Sequence, residues 1–170
     1  WLKSLNIKLI FEKFNKKNIE RIHQMYQRIN QMNLSTRRLT LAQIQKENKN
    51  KTFNLITLSV MDSIADLGMI ALISYEIRKK EVIIKDFLFS CRALGRDIEL
   101  FLINFLVYNL QKKGFKKFIF NFKKTKKNNL CYNLLKKIKT KTQGKLIVYN
   151  RNLKNKKNNI FKLIFKDKIF

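Results

Sequence analysis

Within "SCRALGRD", residues 90 to 97, a thiol, two guanidiniums and a glycine fall close together, directly ahead of an apolar helix candidate. Each residue type brings something separate. Cys91 is a nucleophile once its proton leaves, and a guanidinium or a helix N-terminus beside it favours the thiolate. Arg92 and Arg96, four residues apart in the sequence, can flank one phosphate or carboxylate with planar, bidentate donors that lysine lacks. Gly95 permits a turn whose free N–H groups, with the positive end of the following helix dipole, face an anion. The combination suits thiolate chemistry beside a bound anion. The plain alternative is a tight turn with two solvated arginines and a packed cysteine.

The arginines stand out against their background. Of 38 basic residues, 30 are Lys and eight are Arg, and four of those eight form two clusters, Arg37 with Arg38 and Arg92 with Arg96. A net charge of +27 attracts phosphate backbones. Abundant Lys, Asn, Ile and Phe, with no Pro and few Gly, is however what an A+T-rich coding sequence leaves at tolerant surface sites. The aromatic positions read as core, with no basic-aromatic stacking stripe. Nucleic acid is therefore an alternative partner, not the expected one.

At 170 residues the chain is one domain in size and should bury roughly 70% of its unfolded surface. The longest uncharged apolar-rich run, Leu100 to Gln111, is far short of the ~18 to 20 residues a membrane span needs. Two cysteines and one histidine supply neither a disulfide framework nor a metal cluster, so no metal and a reducing cytoplasm are expected. Trp1 in place of Met leads to the expectation that the chain is a fragment of a longer protein.

The elements that must position these groups follow from periodicity. "LNIKLIF" (Leu5 to Phe11) alternates as a strand, and Asn18 is placed to cap a helix with Ile19, Ile22, Met25, Tyr26 and Ile29 on one face. Thr40 is an N-cap for "LAQIQKE". "FNLITLSVMD", "LGMIALISYEI" and "EVIIKDFLFS" read as an antiparallel meander. Ile98 to Lys113, apolar nearly all round, reads as a buried helix. "FKKFIFNF" is then a strand, "NNLCYNLLKKI" a helix, and "KLIVYN" with "NIFKLIF" a late strand pair around the polar run "RNLKNKKN". The order is α+β with a mixed sheet flanked by helices.

A second polar stretch, "NQMNLSTRR", gathers amides, hydroxyls and two guanidiniums with no apolar period. Such a segment either caps and turns the chain or lines a polar site.

Four segments in order, "NQMNLSTRRLT" (Asn30 to Thr40), "DSIADLG" (Asp62 to Gly68), "FLFSCRALGRDIE" (Phe87 to Glu99) and "KTKKN" (Lys124 to Asn128), together resemble the C-terminal GNAT-like acyltransferase domain of FkbH-like proteins. The resemblance covers about residues 1 to 138. It implies a GNAT-like fold and an upstream HAD-type phosphatase domain. It also implies acyl transfer onto an acyl carrier protein, of a glyceryl or similar group held on coenzyme A or phosphopantetheine. In GNAT-like folds the turn after the fourth strand cradles the pyrophosphate of coenzyme A. The resemblance thus makes Arg92, Gly95, Arg96, Lys127 and Asn128 the expected cofactor-binding set, and Asn33, Thr36, Arg37, Arg38, Asp62 and Asp66 the substrate-binding set. Asp97 stands where that pattern has a small residue, and the tyrosine acid expected near Leu135 is absent, with Tyr132 one turn earlier.

The sequence is read as a single GNAT-like domain in which Cys91 is the candidate nucleophile. A non-catalytic domain that docks an acidic acyl carrier protein is the alternative from another class.

Overall fold

The computed structural model describes residues 5–138, 140–143, 146–149 and 160–170. The meander forms as its alternation requires: β1 (Lys8–Lys13), β2 (Phe53–Met61), β3 (Asp66–Arg78) and β4 (Glu81–Phe89) are paired antiparallel in succession. β5 (Lys117–Phe120) returns parallel to β4 after a crossover through α3 (Ile98–Lys112). β6 (Lys141–Gln143) and β7 (Leu146–Tyr149) extend that edge antiparallel. The described strands make one mixed sheet in the order β6-β7-β5-β4-β3-β2-β1-β8.

β8 (Lys162–Phe165) corrects the expected late strand pair. It lies parallel to β1 at the opposite edge of the sheet, with Leu9 facing Leu163 and Phe11 facing Phe165, while β7 pairs with β5 and β6. β1 has one edge left open by β2, and the Phe11 and Phe165 rings stack there at 5.3 Å. The run "RNLKNKKN" lies outside the described residues.

Helices cover both faces. α1 (Ile19–Arg28) lays Ile22, Met25 and Tyr26 on Leu72 and Leu88, and α2 (Leu41–Asn48) adds Ile44. Thr40 caps α2 through a reciprocal box: its Oγ1 accepts from Gln43 N at 3.3 Å and its N–H donates to Gln43 Oε1 at 2.8 Å. Asn18 precedes α1, but its amide serves the entering loop, donating to Lys13 O and accepting from Asn15 N. α3 and α4 (Asn129–Lys137) pack on the other face, where Leu102, Leu106 and Leu110 meet Ile73, Ile84 and Phe89. The remaining apolar flank of α3 is covered by the C-terminal segment, with Phe101 on Phe161 and Phe105 on Phe170. That explains a helix apolar nearly all round. No helix among the described residues is long and apolar enough to cross a membrane.

Candidate active site

A bulge in β4 decides which groups face α1. Ser74 pairs with Asp86 but Tyr75 pairs with Ile84, so Lys85 is the extra residue and the alternation slips by one. Val82 and Ile84 face α3 before it; Phe87 and Phe89 do so after it. Asp86 and Leu88 are thereby turned toward α1. Asp86 is fully buried and accepts from Tyr26 Oη (2.8 Å), Ser35 Oγ (2.5 Å), Ser74 Oγ (2.6 Å) and Arg37 Nε (3.0 Å), with a second Arg37 nitrogen also bonded. Arg37 also pairs with Glu47 at 2.5 Å. Burial opposes the charge on both partners. Their mutual bonds outweigh it, so Arg37 is raised and Asp86 lowered.

The same slip opens a fork between β4 and β5. The two strands pair only as far as Ile84 and Phe120, and the chain's own Met32–Leu34 fills the gap beyond. Phe89 N donates to Met32 O and Leu34 N to Phe87 O, both at 3.0 Å, and Lys123 N donates to Leu34 O at 2.9 Å. Asn128, fully buried, clamps this strap: its Nδ2 donates to Asn33 O (2.9 Å) and Lys123 O (2.8 Å), and its Oδ1 accepts from Thr125 N. The Asn33 side chain bonds Ile29 O and Thr36 N, holding Thr36 at φ 59°.

Beyond β4 the chain makes a single 3-10 turn, Cys91–Ala93, then Gly95 at φ 80°, then Asp97 at φ 56° as the residue before α3. Cys91 is exposed and donates its thiol to Gln31 Oε1 at 3.3 Å. Cys131 is buried in α4, and that burial pushes its thiol up to about 12. Arg96 turns back: one nitrogen donates to Arg92 O at 3.2 Å and the other lies 3.6 Å from Asp62 Oδ2. Asp62 Oδ1 caps Ile64 N and Ala65 N, and these N–H groups lower its carboxyl. Asp66 accepts from Gly68 N in the same loop.

Between α1 and this turn runs a groove of about 700 Å³ lined by Arg21, Arg28, Gln31, Cys91 and Arg92 among others, with no carboxylate. Burial and the nearby Arg92 and Arg28 together lower the pKa of Arg21.

The sequence-chosen residues therefore separate into groups. Cys91 and Arg92 share the groove; Arg96 joins Asp62; Asn33 and Asn128, 95 residues apart, meet at the strap. Arg37 is committed to Asp86 and Glu47, and Arg38 caps α1 through Tyr26 O, Ile29 O and Asn30 Oδ1. Lys127 is exposed, its N–H held by Thr125 Oγ1. Sequence reasoning passed over Asp86, Arg21 and Arg28. The signals were an acid between the apolar runs of "VIIKDFLF", and two arginines spaced seven apart, two turns along one helix face.

No family model matches the sequence, and no curated protein matches it. Solved structures match it along most of its length. The ribosomal-protein-S18-alanine N-acetyltransferase of Escherichia coli has a TM-score of 0.63 at 9% identity, over 86% of this chain and 96% of its own. The GNAT domain of S. lividans PAT has 0.61 at 12%, over 83% and 89%. A chain of the NatC complex bound to Gag peptide and CoA has 0.63 at 8%, over 85% and 99%. The fold is a GNAT fold. Sequence identities this low carry the fold and nothing finer.

A GNAT fold implies coenzyme A at the β4–α3 turn, and the residues there do not fit its pyrophosphate. Asp97 and Glu99 both stand at the α3 start, and Glu99's carboxyl is raised chiefly by burial, with Asp97 adding to it. Among the described residues three buried polar atoms have no hydrogen bond: Asp62 Oδ2 and Arg96 Nε, whose side chains form an ion pair at 3.6 Å, and Glu99 Oε2 in the first turn of α3. Glu99 Oε2 calls for a donor, and a pyrophosphate brings only acceptors. What Gly95 contributes is its backbone conformation. A Cβ there would meet nothing within 4 Å, so Gly95→Ala should cost only the left-handed strain, about 1 kcal/mol in urea unfolding. Gly114, at φ 94° with the same open surroundings, should cost the same; a larger loss at Gly95 alone would mean that the turn holds more than its own shape.

Proposed function

We propose that this GNAT-fold domain is the transferase part of an FkbH-like protein. It passes a glyceryl or similar acyl group between phosphopantetheine thiols by way of Cys91, beside an upstream HAD-type phosphatase domain and an acyl carrier protein. The observation that carries the reading is the exposed Cys91 thiol, hydrogen-bonded to Gln31 at the wall of a basic groove.

The chemistry is thioester exchange. Cys91 releases its proton to solvent, its sulfur bonds to the acyl carbon, and the C–S bond of the incoming thioester breaks. The departing thiolate takes a proton from solvent, and a second exchange returns the acyl group to an acceptor thiol. Arg92, in the same groove, supplies donors for the tetrahedral oxyanion. Gln31 orients the sulfur.

Incubation with a carrier-borne acyl thioester should leave one acyl mass on the Cys91 peptide and none after Cys91→Ser. Iodoacetamide should alkylate Cys91 in the folded chain and Cys131 only after unfolding. No acyl mass on Cys91, with the folded chain still alkylated there, would rule out the covalent route. One observation favours a second reading, a non-catalytic carrier-docking domain: no carboxylate or imidazole lines the groove to take the Cys91 proton. Carrier protein that binds equally well to Cys91→Ser, with no acyl mass on the wild type, would establish it.

A further inference from the structure

The helix start that a GNAT fold offers to phosphate carries two acids here, Asp97 and Glu99, while three guanidiniums gather a few residues away with no carboxylate among them. We infer that the groove between α1 and the β4–α3 turn is the phosphate site of this domain, with Arg21, Arg28 and Arg92 as the binding residues. Arg21 and Arg28 lie two turns apart along α1, and Arg92 faces them from the turn. Among the described residues, the ion pairs take up Arg37, Arg78 and Arg96 and none of these three. Arg21 donates to Gln24 Oε1 and Met69 O, which fixes its guanidinium, and Arg92 makes one long bond of 3.4 Å to Ser90 Oγ.

Like charges collected without a counter-ion repel, and an anion that bridges them removes the repulsion and adds charge-assisted hydrogen bonds. Arg28 and Arg92 are exposed, so their donors remain free to turn toward a ligand. The Gln31 and Asn30 amides on the same wall add neutral donors. A phosphate monoester or diester fits this set, because planar guanidiniums match its oxygens two at a time. The phosphate belongs either to a pantetheine arm, whose thiol would then reach Cys91, or to a small free phosphate ester.

The inference takes from the proposed function only that the ligand carries phosphate, and binding tests it apart from chemistry. Calorimetric titrations of the chain, and of Cys91→Ser, would use pyrophosphate, 4′-phosphopantetheine, pantetheine and O-phosphoserine. Arg28→Gln, a change on an exposed helix surface that leaves the core untouched, should weaken every phosphate-bearing probe about tenfold, the loss of one charge-assisted contact. Arg92→Gln should do the same, pantetheine should bind no better to wild type than to either variant, and Arg96→Gln should change nothing. Phosphopantetheine tighter than phosphoserine identifies the thiol arm as the source, and equal affinities identify a free ester; either upholds the site. Unchanged affinity in both Arg28→Gln and Arg92→Gln overturns it. So does phosphate binding that tightens in Asp97→Asn with Glu99→Gln while ignoring the groove arginines, because the helix start would then be the site. Phosphate binding retained in Cys91→Ser, with no acyl mass on the wild type, would leave the groove standing and remove the covalent mechanism alone.

Discussion

Asp86→Asn is expected to lower the unfolding free energy by about 3–5 kcal/mol, the usual cost of breaking a buried ion pair from one side. Asp86 has no exposed surface, and its two oxygens accept from three hydroxyls and the Arg37 guanidinium. An asparagine of the same shape presents an NH2 group to some of those donors and leaves Arg37 with Glu47 alone. A domain of this size holds about 5–15 kcal/mol in total, so the variant should unfold at a far lower denaturant concentration. The pH dependence gives a second reading. Burial alone would raise the Asp86 carboxyl, but Arg37, then Ser35 and Ser74, hold it below its ordinary value. A carboxyl held low in the folded chain favours folding once the unfolded carboxyl is ionised, above about pH 4. That contribution disappears as pH falls below about 4 toward the folded value. Wild type should therefore lose stability steeply there and Asp86→Asn less so. A cost below about 1 kcal/mol, within the range of exposed pairs, with an unchanged acid limb, would show that the cluster is solvated and not structural.

Tyr26 adds a control on the same cluster. Its hydroxyl pKa is raised well above the ordinary value, first by burial and then by the Asp86 charge. Tyr26→Phe removes one donor while keeping the ring against Leu72 and Leu88, so it should cost far less than the loss of the carboxylate.

How far the sequence was legible depended on whether the information was local. The meander shows in its alternation, α1 in the spacing of Ile22, Met25 and Tyr26, and α2 in the Thr40–Gln43 box. Cys91 before a glycine turn and a helix was legible for the same reason. What stayed hidden was set by pairing across long separations. Nothing near Lys85 announces a bulge, yet that one residue turns Asp86 under α1 and ends the β4–β5 ladder. β8 beside β1, 154 residues after it, follows from an open sheet edge and not from any local signal. The segment "NQMNLSTRR" left two readings open, and the structure divides it between them. Met32–Thr36 caps and closes the fork, while Asn30 and Gln31 line the groove. Its two arginines, the residues that looked most like ligand contacts, hold the protein to itself.

Asn128→Ala should release the strap at a cost of about 2–3 kcal/mol, because it leaves Asn33 O, Lys123 O and Thr125 N in or near the core without their partner. The loss should be local before it is global. The amides of Leu34, Phe89 and Lys123 depend on the strap sitting between β4 and the residues after β5, so their hydrogen exchange should accelerate more than that of β2 and β3 amides deep in the sheet. The effect should also reach the thiol. Met32, whose carbonyl anchors the strap to Phe89, follows Gln31, whose amide oxygen accepts from Cys91. A strap that opens carries Gln31 away, and Cys91 should then alkylate faster with iodoacetamide even though no group touching the sulfur has been changed. Acceleration spread evenly over all core amides would mean that Asn128 supports the whole fold and that the fork has no separate opening. An unchanged Cys91 rate with faster Leu34 and Phe89 exchange would mean that the fork opens without moving the groove, which would separate the strap from the chemistry proposed beside it.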